Sequence, residues 1–83
     1  MEHIEYSLSF LDGQQVSGKA TKIVVRDAYN VMTLMSQCSP LITVLNSGKI
    51  EVYDTPTTVK EYLYQEGFLN ASDNLCTVTI LKY

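Results

Sequence analysis

Gly13 and Gly18-Lys19 stand at the spacing of a phosphate-binding loop, in which backbone N–H groups cradle phosphates and a lysine reaches them. The match is incomplete. Ala20 occupies the place where Ser or Thr would hold Mg²⁺, with Thr21 one position late. The motif also needs a helix after it, and the residues following Lys19 read as strand. His3, Cys38 and Cys76 could ligate a metal, but no two lie within four residues, whereas zinc sites bring ligands in close pairs. Nothing local to either cysteine would activate it as a nucleophile. Asp12, Asp27, Asp54, Glu61 and Glu66 could do acid–base work, yet capping and solvation account for each. The expectation is a protein with no catalytic residues, no metal and no cofactor. The remaining chemistry is that of surfaces. Of the six tyrosines, Tyr6 and Tyr62 fall on apolar faces, while Tyr29, Tyr53, Tyr64 and Tyr83 do not. Tyrosine suits surfaces that are half dry and half wet, which describes protein interfaces.

The elements that must position these residues follow from periodicity. Ile4, Tyr6, Leu8 and Phe10 alternate with polar residues, a half-buried strand ended by the hairpin signal Asp12-Gly13. Gln14 to Val25 reads as its partner strand, with a bulge at Gly18. Asp27 then looks like an N-cap. The apolar positions 28, 31, 32, 35 and 38 fall on one helical stripe, which predicts a helix over Ala28–Cys38 ended by Ser39-Pro40. Leu41–Leu45 and Lys49–Tyr53 read as a second hairpin around Asn46-Ser47-Gly48. Thr58-Val59-Lys60-Glu61 fits a capping box, which predicts a short helix to Glu66 with Gly67 as its stop and a loop over residues 70–74. Cys76, Val78 and Ile80 alternate in a last strand. The predicted core includes Leu8, Val31, Met35, Leu63, Val78 and Ile80.

Eighty-three residues make one domain over 1–83, and a chain this small hides only about 60% of its unfolded surface. With 46% hydrophobic and 18% charged residues it is a folded globule. A net charge of −3 excludes a strongly basic nucleic-acid binder, and only Lys19, Lys22 and Arg26 approach a basic stripe. No apolar run approaches the roughly 18 residues of a membrane span. The alternating start MEHIEYSLSF is unlike a signal peptide, so a cytoplasmic protein with two reduced, buried cysteines is expected.

The expected fold is α+β: a single mixed sheet of about five strands in the order ββαββαβ, with one long helix on one face. That order resembles the β-grasp fold of ubiquitin-like proteins. Thr58-Val59-Lys60-Glu61-Tyr62 resembles the family's short helical turn, and Asp73-Asn74-Leu75 with Thr77–Leu81 resembles its acidic turn and final strand. Conjugated members end in Gly-Gly, whereas this chain ends Leu81-Lys82-Tyr83. The resemblance therefore implies a non-conjugating member: a binding module, or an accessory protein of a bacterial secretion system.

Three functions compete. The first is a non-catalytic interaction module that binds a protein partner stoichiometrically, as an inhibitor or adaptor of phage or mobile-element type. The second is a small nucleotide or ligand binder using the Gly13–Thr21 segment. The third is a nucleic-acid binder through Lys19, Lys22 and Arg26, disfavoured by charge. For the first, the strand Leu41–Leu45 is apolar on both sides, so either Leu41 and Leu45 or Ile42 and Val44 must point away from the core. The expected partner-binding residues are Tyr53, Leu81 and Tyr83, then Tyr29, with a homodimer through the same face as the alternative.

Overall fold

The computed structural model describes residues His3 to Tyr83. Seven strands form one sheet: β1 (Ile4–Phe10), β2 (Gln15–Ala20), β3 (Lys22–Arg26), β4 (Val31–Leu34), β5 (Cys38–Tyr53), β6 (Val59–Asp73) and β7 (Leu75–Lys82). Their order across the sheet is β2-β1-β7-β6-β5-β3-β4, antiparallel except for the β1–β7 pair. Among the described residues there is no helix. The α+β expectation and the ubiquitin-like resemblance are both overturned, since a β-grasp needs its long helix.

The ends of the chain follow their sequence pattern. Tyr6, Leu8 and Phe10 of β1 pair in parallel with Cys76, Val78 and Ile80 of β7, and all of these but Phe10 are buried, as is Ile4. Asp12-Gly13 makes the predicted hairpin turn. Gly13 adopts φ 93°, its N–H bonds to the Phe10 carbonyl, and Asp12 Oδ1 accepts from the Gln14 N–H. The predicted strand Gln14–Val25 is two strands. Thr21 is the pivot, and both its N–H and its hydroxyl donate to the Tyr53 carbonyl.

The middle of the chain departs from expectation, and one bend explains most of it. In the first half of β5, Leu41, Thr43 and Leu45 face inward; in the second half, Ile50 and Val52 do. β6 switches in register with it, from Tyr62 and Tyr64 inward to Gly67, Leu69 and Ala71. The switch falls where Leu45 faces Gly67 and Gly48 faces Tyr64, with Ser47 at φ 54°. The sheet folds over there. Residues from both sides of the bend then meet in one core: Ile4, Leu8, Leu69, Val78 and Ile80 with Ile23, Val25, Leu34, Ile50 and Val52.

A phase slip of this kind disguises a strand. Asn46-Ser47-Gly48 resembles a turn but is the bend within a sixteen-residue strand. Val59, Tyr62, Leu63 and Gly67 resemble a short helix and its stop, but they lie on β6, which also absorbs most of the predicted loop at residues 70–74. Both glycines are required by close approach. A Cβ on Gly48 would collide with the Arg26 carbonyl, and one on Gly67 would sit 2.6 Å from the Thr79 carbonyl oxygen.

The predicted helix Ala28–Cys38 is the turn between β3 and β4, then β4, then a second turn. Its residues Tyr29, Asn30, Val31 and Thr33 are weak helix formers. As a strand, the segment places Leu34 and Met32 opposite Ile23 and Val25 over the core. Asp27 caps no helix; its Oδ1 accepts from the Asn46 N–H at 2.6 Å and the Tyr64 hydroxyl at 2.8 Å. Of the predicted core, Leu8, Val78 and Ile80 are buried, while Val31, Met35 and Leu63 are exposed.

Candidate protein-docking surface

The four tyrosine and leucine positions expected at a partner surface occupy three places. Tyr53, at the end of β5, is half-buried, with the Lys22 ammonium 4.6 Å from its ring centroid. Leu81 and Tyr83 come together at the end of β7. Glu66 pairs with Lys82 and Gly67 with Ile80, so Leu81 is the extra residue of a bulge. Tyr83 meets Phe10 edge-on at 5.3 Å, and its hydroxyl donates to Asp12 Oδ2 at 2.9 Å. The hydrogen bond to the Asp12 carboxylate holds the Tyr83 hydroxyl above the ordinary tyrosine range, and Asp12 is held low, first by the Gln14 N–H and then by Tyr83. With Val16, Tyr62 and Leu63 these aromatics line an apolar groove of about 410 Å³. Tyr29 is 85% exposed in the β3–β4 turn.

Six of the charged residues bind one another. Glu51, 7% exposed, joins Arg26 Nε at 2.9 Å and Lys49 Nζ at 3.6 Å, and Lys49 reaches Glu61 at 2.8 Å. Hydrogen bonding to Glu61 raises Lys49, and the same bond lowers Glu61. Two cations and two carboxylates thus close a neutral ladder across β3, β5 and β6. Lys60 pairs with Asp54 at 3.3 Å. Lys19, Lys22 and Arg26 therefore form no continuous basic stripe: Lys19 is on β2, Lys22 sits over Tyr53, and Arg26 is ion-paired.

The phosphate-loop and metal readings have no geometry to use. Gly18 lies within β2 against the Tyr6 ring, and the segment after it pairs with β1 instead of opening a helix. Among the described residues no group of three His, Cys, Asp or Glu could hold a metal ion. His3 is exposed. Cys38 is half-exposed, contrary to the buried site expected, and its thiol donates to the Asp73 carbonyl. Cys76 is buried, and that burial pushes its thiol up to about 12, leaving it protonated and a poor nucleophile.

One segment of the chain stands out by what it lacks. No Asp, Glu, Lys, Arg or His occurs from Ala28 to Gly48. This segment carries five exposed large apolar residues: Tyr29, Val31, Met35, Ile42 and Val44. Of the two alternatives for Leu41–Leu45, Ile42 and Val44 point out, at 79% and 58% exposure, with half-exposed Phe68 across the sheet from Val44.

The backbone there is also open. β3 pairs with β5 only from Lys49 to Tyr53, so among the described residues the stretch Leu41–Leu45 has β6 on one side and no strand on the other. Asn46 shows which groups face that free edge. Its N–H donates to Asp27 and its carbonyl accepts from Ala28, both away from β6. Alternation then directs the N–H and C=O of Val44 and Ile42 the same way. The tyrosine count did not reveal this site. The chargeless segment was the available signal.

Compared with family models and with curated proteins, the sequence matches none. Solved structures do match. A chain of the Euglena gracilis mitochondrial ATP synthase structure (OSCP/F1/c-ring, rotational state 1) superposes with TM-score 0.87 at 16% identity, covering 99% of this protein and 52% of that chain. A chain of the Tetrahymena thermophila mitochondrial ATP synthase structure (central stalk/c-ring) gives TM-score 0.75 at 13% identity, covering 95% and 63%. The likeness is one of fold.

It extends over nearly the whole protein, which spans between half and two thirds of the chains it matches. Those chains belong to multi-subunit assemblies. The ubiquitin-like resemblance is replaced by this all-strand likeness.

Proposed function

We propose that this protein is a non-catalytic β domain that docks onto protein subunits of a larger assembly, and that the assembly is an ATP synthase. The docking reading is carried by the chargeless segment Ala28–Gly48 with its exposed Val31, Met35, Ile42 and Val44. Interface cores are depleted of charge and rich in apolar and aromatic groups, as this segment is. The full-length likeness to chains from two ATP synthase structures supports that enzyme as the assembly. A non-catalytic role agrees with carboxylates tied to cations or turns and with a buried, protonated Cys76.

The test is co-fractionation. ATP synthase is solubilised from the source cells in mild detergent, separated by density gradient and quantified by mass spectrometry. The protein is expected at a constant molar ratio to the synthase subunits across the peak, at low and high salt. A protein that peaks apart from the enzyme in every condition contradicts the assembly.

A further inference from the structure

We propose that the open edge of β5 between Pro40 and Asn46 takes up an extended strand of a partner protein, adding an eighth strand to the sheet; this rests on the docking reading above. Ile42 and Val44 each direct one N–H and one C=O outward; among the described residues no backbone group answers them, and the Val44 carbonyl accepts only the long bond from the Thr43 hydroxyl at 3.3 Å. A strand satisfies such a row because its donors and acceptors recur at the same two-residue repeat.

The slot has defined ends. At one end the Asn46 backbone is already engaged by Asp27 and Ala28. At the other, Pro40 has no N–H, and the register with β6 shifts between Cys38 and Leu41. The edge also lacks the usual protection. Natural edges carry charges or are kept short. The β2 edge carries Lys19 among Gln15 and Ser17, and β4 is only four residues long. The β5 edge carries no charge and two exposed β-branched side chains.

Charge matching specifies the occupant. A strand alongside this edge covers Ile42 and Val44 on the outer face and half-buried Leu41 and Thr43 on the inner face. A charged residue placed there would lose water and gain no counter-ion. The partner segment is therefore an uncharged run with apolar residues on both faces; on the docking reading it belongs to a subunit of the assembly, and a second copy of this chain, whose own Leu41–Leu45 has the same character, is an outcome of the test.

The test is residue-resolved amide exchange on the protein alone and in the assembly isolated from source cells, together with the variant Val44→Pro. Val44 N–H faces outward, so proline removes the edge donor without removing a bond to β6. Alone, Leu41, Thr43 and Leu45 should be protected while Ile42 and Val44 exchange freely. In the assembly, Ile42 and Val44 should slow by roughly tenfold or more. Val44→Pro should stay folded and enter the assembly at least tenfold less. Ile42 and Val44 still exchanging freely in the assembly, or Val44→Pro entering it as wild type does, overturns the edge proposal and leaves docking through another face. Protection in a homodimer overturns the choice of occupant. A wild-type protein that is monomeric in cell extracts overturns both readings. Should Val44→Pro fail to fold, the wild-type exchange comparison decides alone.

Discussion

The Tyr64 hydroxyl donates to Asp27 Oδ1 at 2.8 Å, and the same oxygen accepts the Asn46 N–H at 2.6 Å. One carboxylate thus ties β6, the end of β3 and the bend of β5 together where the sheet folds over. Tyr64 is 3% exposed, so its hydroxyl cannot readily trade the bond for water, whereas Asp27 is only half-buried. Tyr64→Phe should cost about 1.5–3 kcal/mol, the usual worth of a hydrogen bond to a charged group, read by denaturant unfolding. Unchanged stability would mean the bend is held by packing alone.

The same pair predicts a pH dependence. Burial, then the Asp27 carboxylate, holds the Tyr64 hydroxyl well above the ordinary tyrosine value of 10.0. Above that value the unfolded chain loses a proton that the folded chain keeps, so rising pH favours unfolding. The contribution is complete below pH 10 and is lost as pH climbs toward the folded value. Wild type should lose stability more steeply above pH 10 than Tyr64→Phe, and identical slopes would contradict the assignment.

Gly48→Ala should be among the most damaging small substitutions, because its Cβ meets the Arg26 backbone oxygen and backbone cannot swing aside as a side chain can. A loss of about 3 kcal/mol or more is expected, the upper end for single substitutions. A variant that melts like wild type would place the close approach elsewhere.

Leu63 and Leu69 separate the two possible phases of β6. Leu63 is 70% exposed and Leu69 fully buried. Leu69→Ala should cost about 2–5 kcal/mol, whereas Leu63→Ala should stay within about 0.5 kcal/mol. The reverse order would restore the helical phase that the sequence suggests.

The thiols make a simple reporter. Half-exposed Cys38 should react with iodoacetamide in the native protein, and buried Cys76 only on unfolding. Mass spectrometry should show one adduct before denaturant and two after; two under native conditions would mean the β7 core is open.

Strands β1 and β7 were legible because Ile4–Phe10 and Cys76–Ile80 keep a strict alternation and a single buried face. β4 and β6 were not. Residues 31, 32 and 35 satisfy a helical stripe as well as a strand, and pairing with β3 decides between them. On β6 the slip between Tyr64 and Gly67 imitates helical spacing, and only the matching slip in β5 reveals it as a bend. The docking edge was half legible. That Leu41–Leu45 is apolar on both faces is written in the sequence. That its far edge is free depends on β3 pairing only from Lys49 onward, a long-range fact no local pattern encodes.

Site-specific photocrosslinking in the source cells tests the central claim most directly. A photoreactive residue is placed at Ile42 on the open β5 edge, and in a second variant at Ser17 on the opposite edge strand β2. The account predicts a crosslink from position 42 to one ATP synthase subunit and none from position 17. Crosslinks from position 17 alone, or none from either while the protein stays folded, would contradict it.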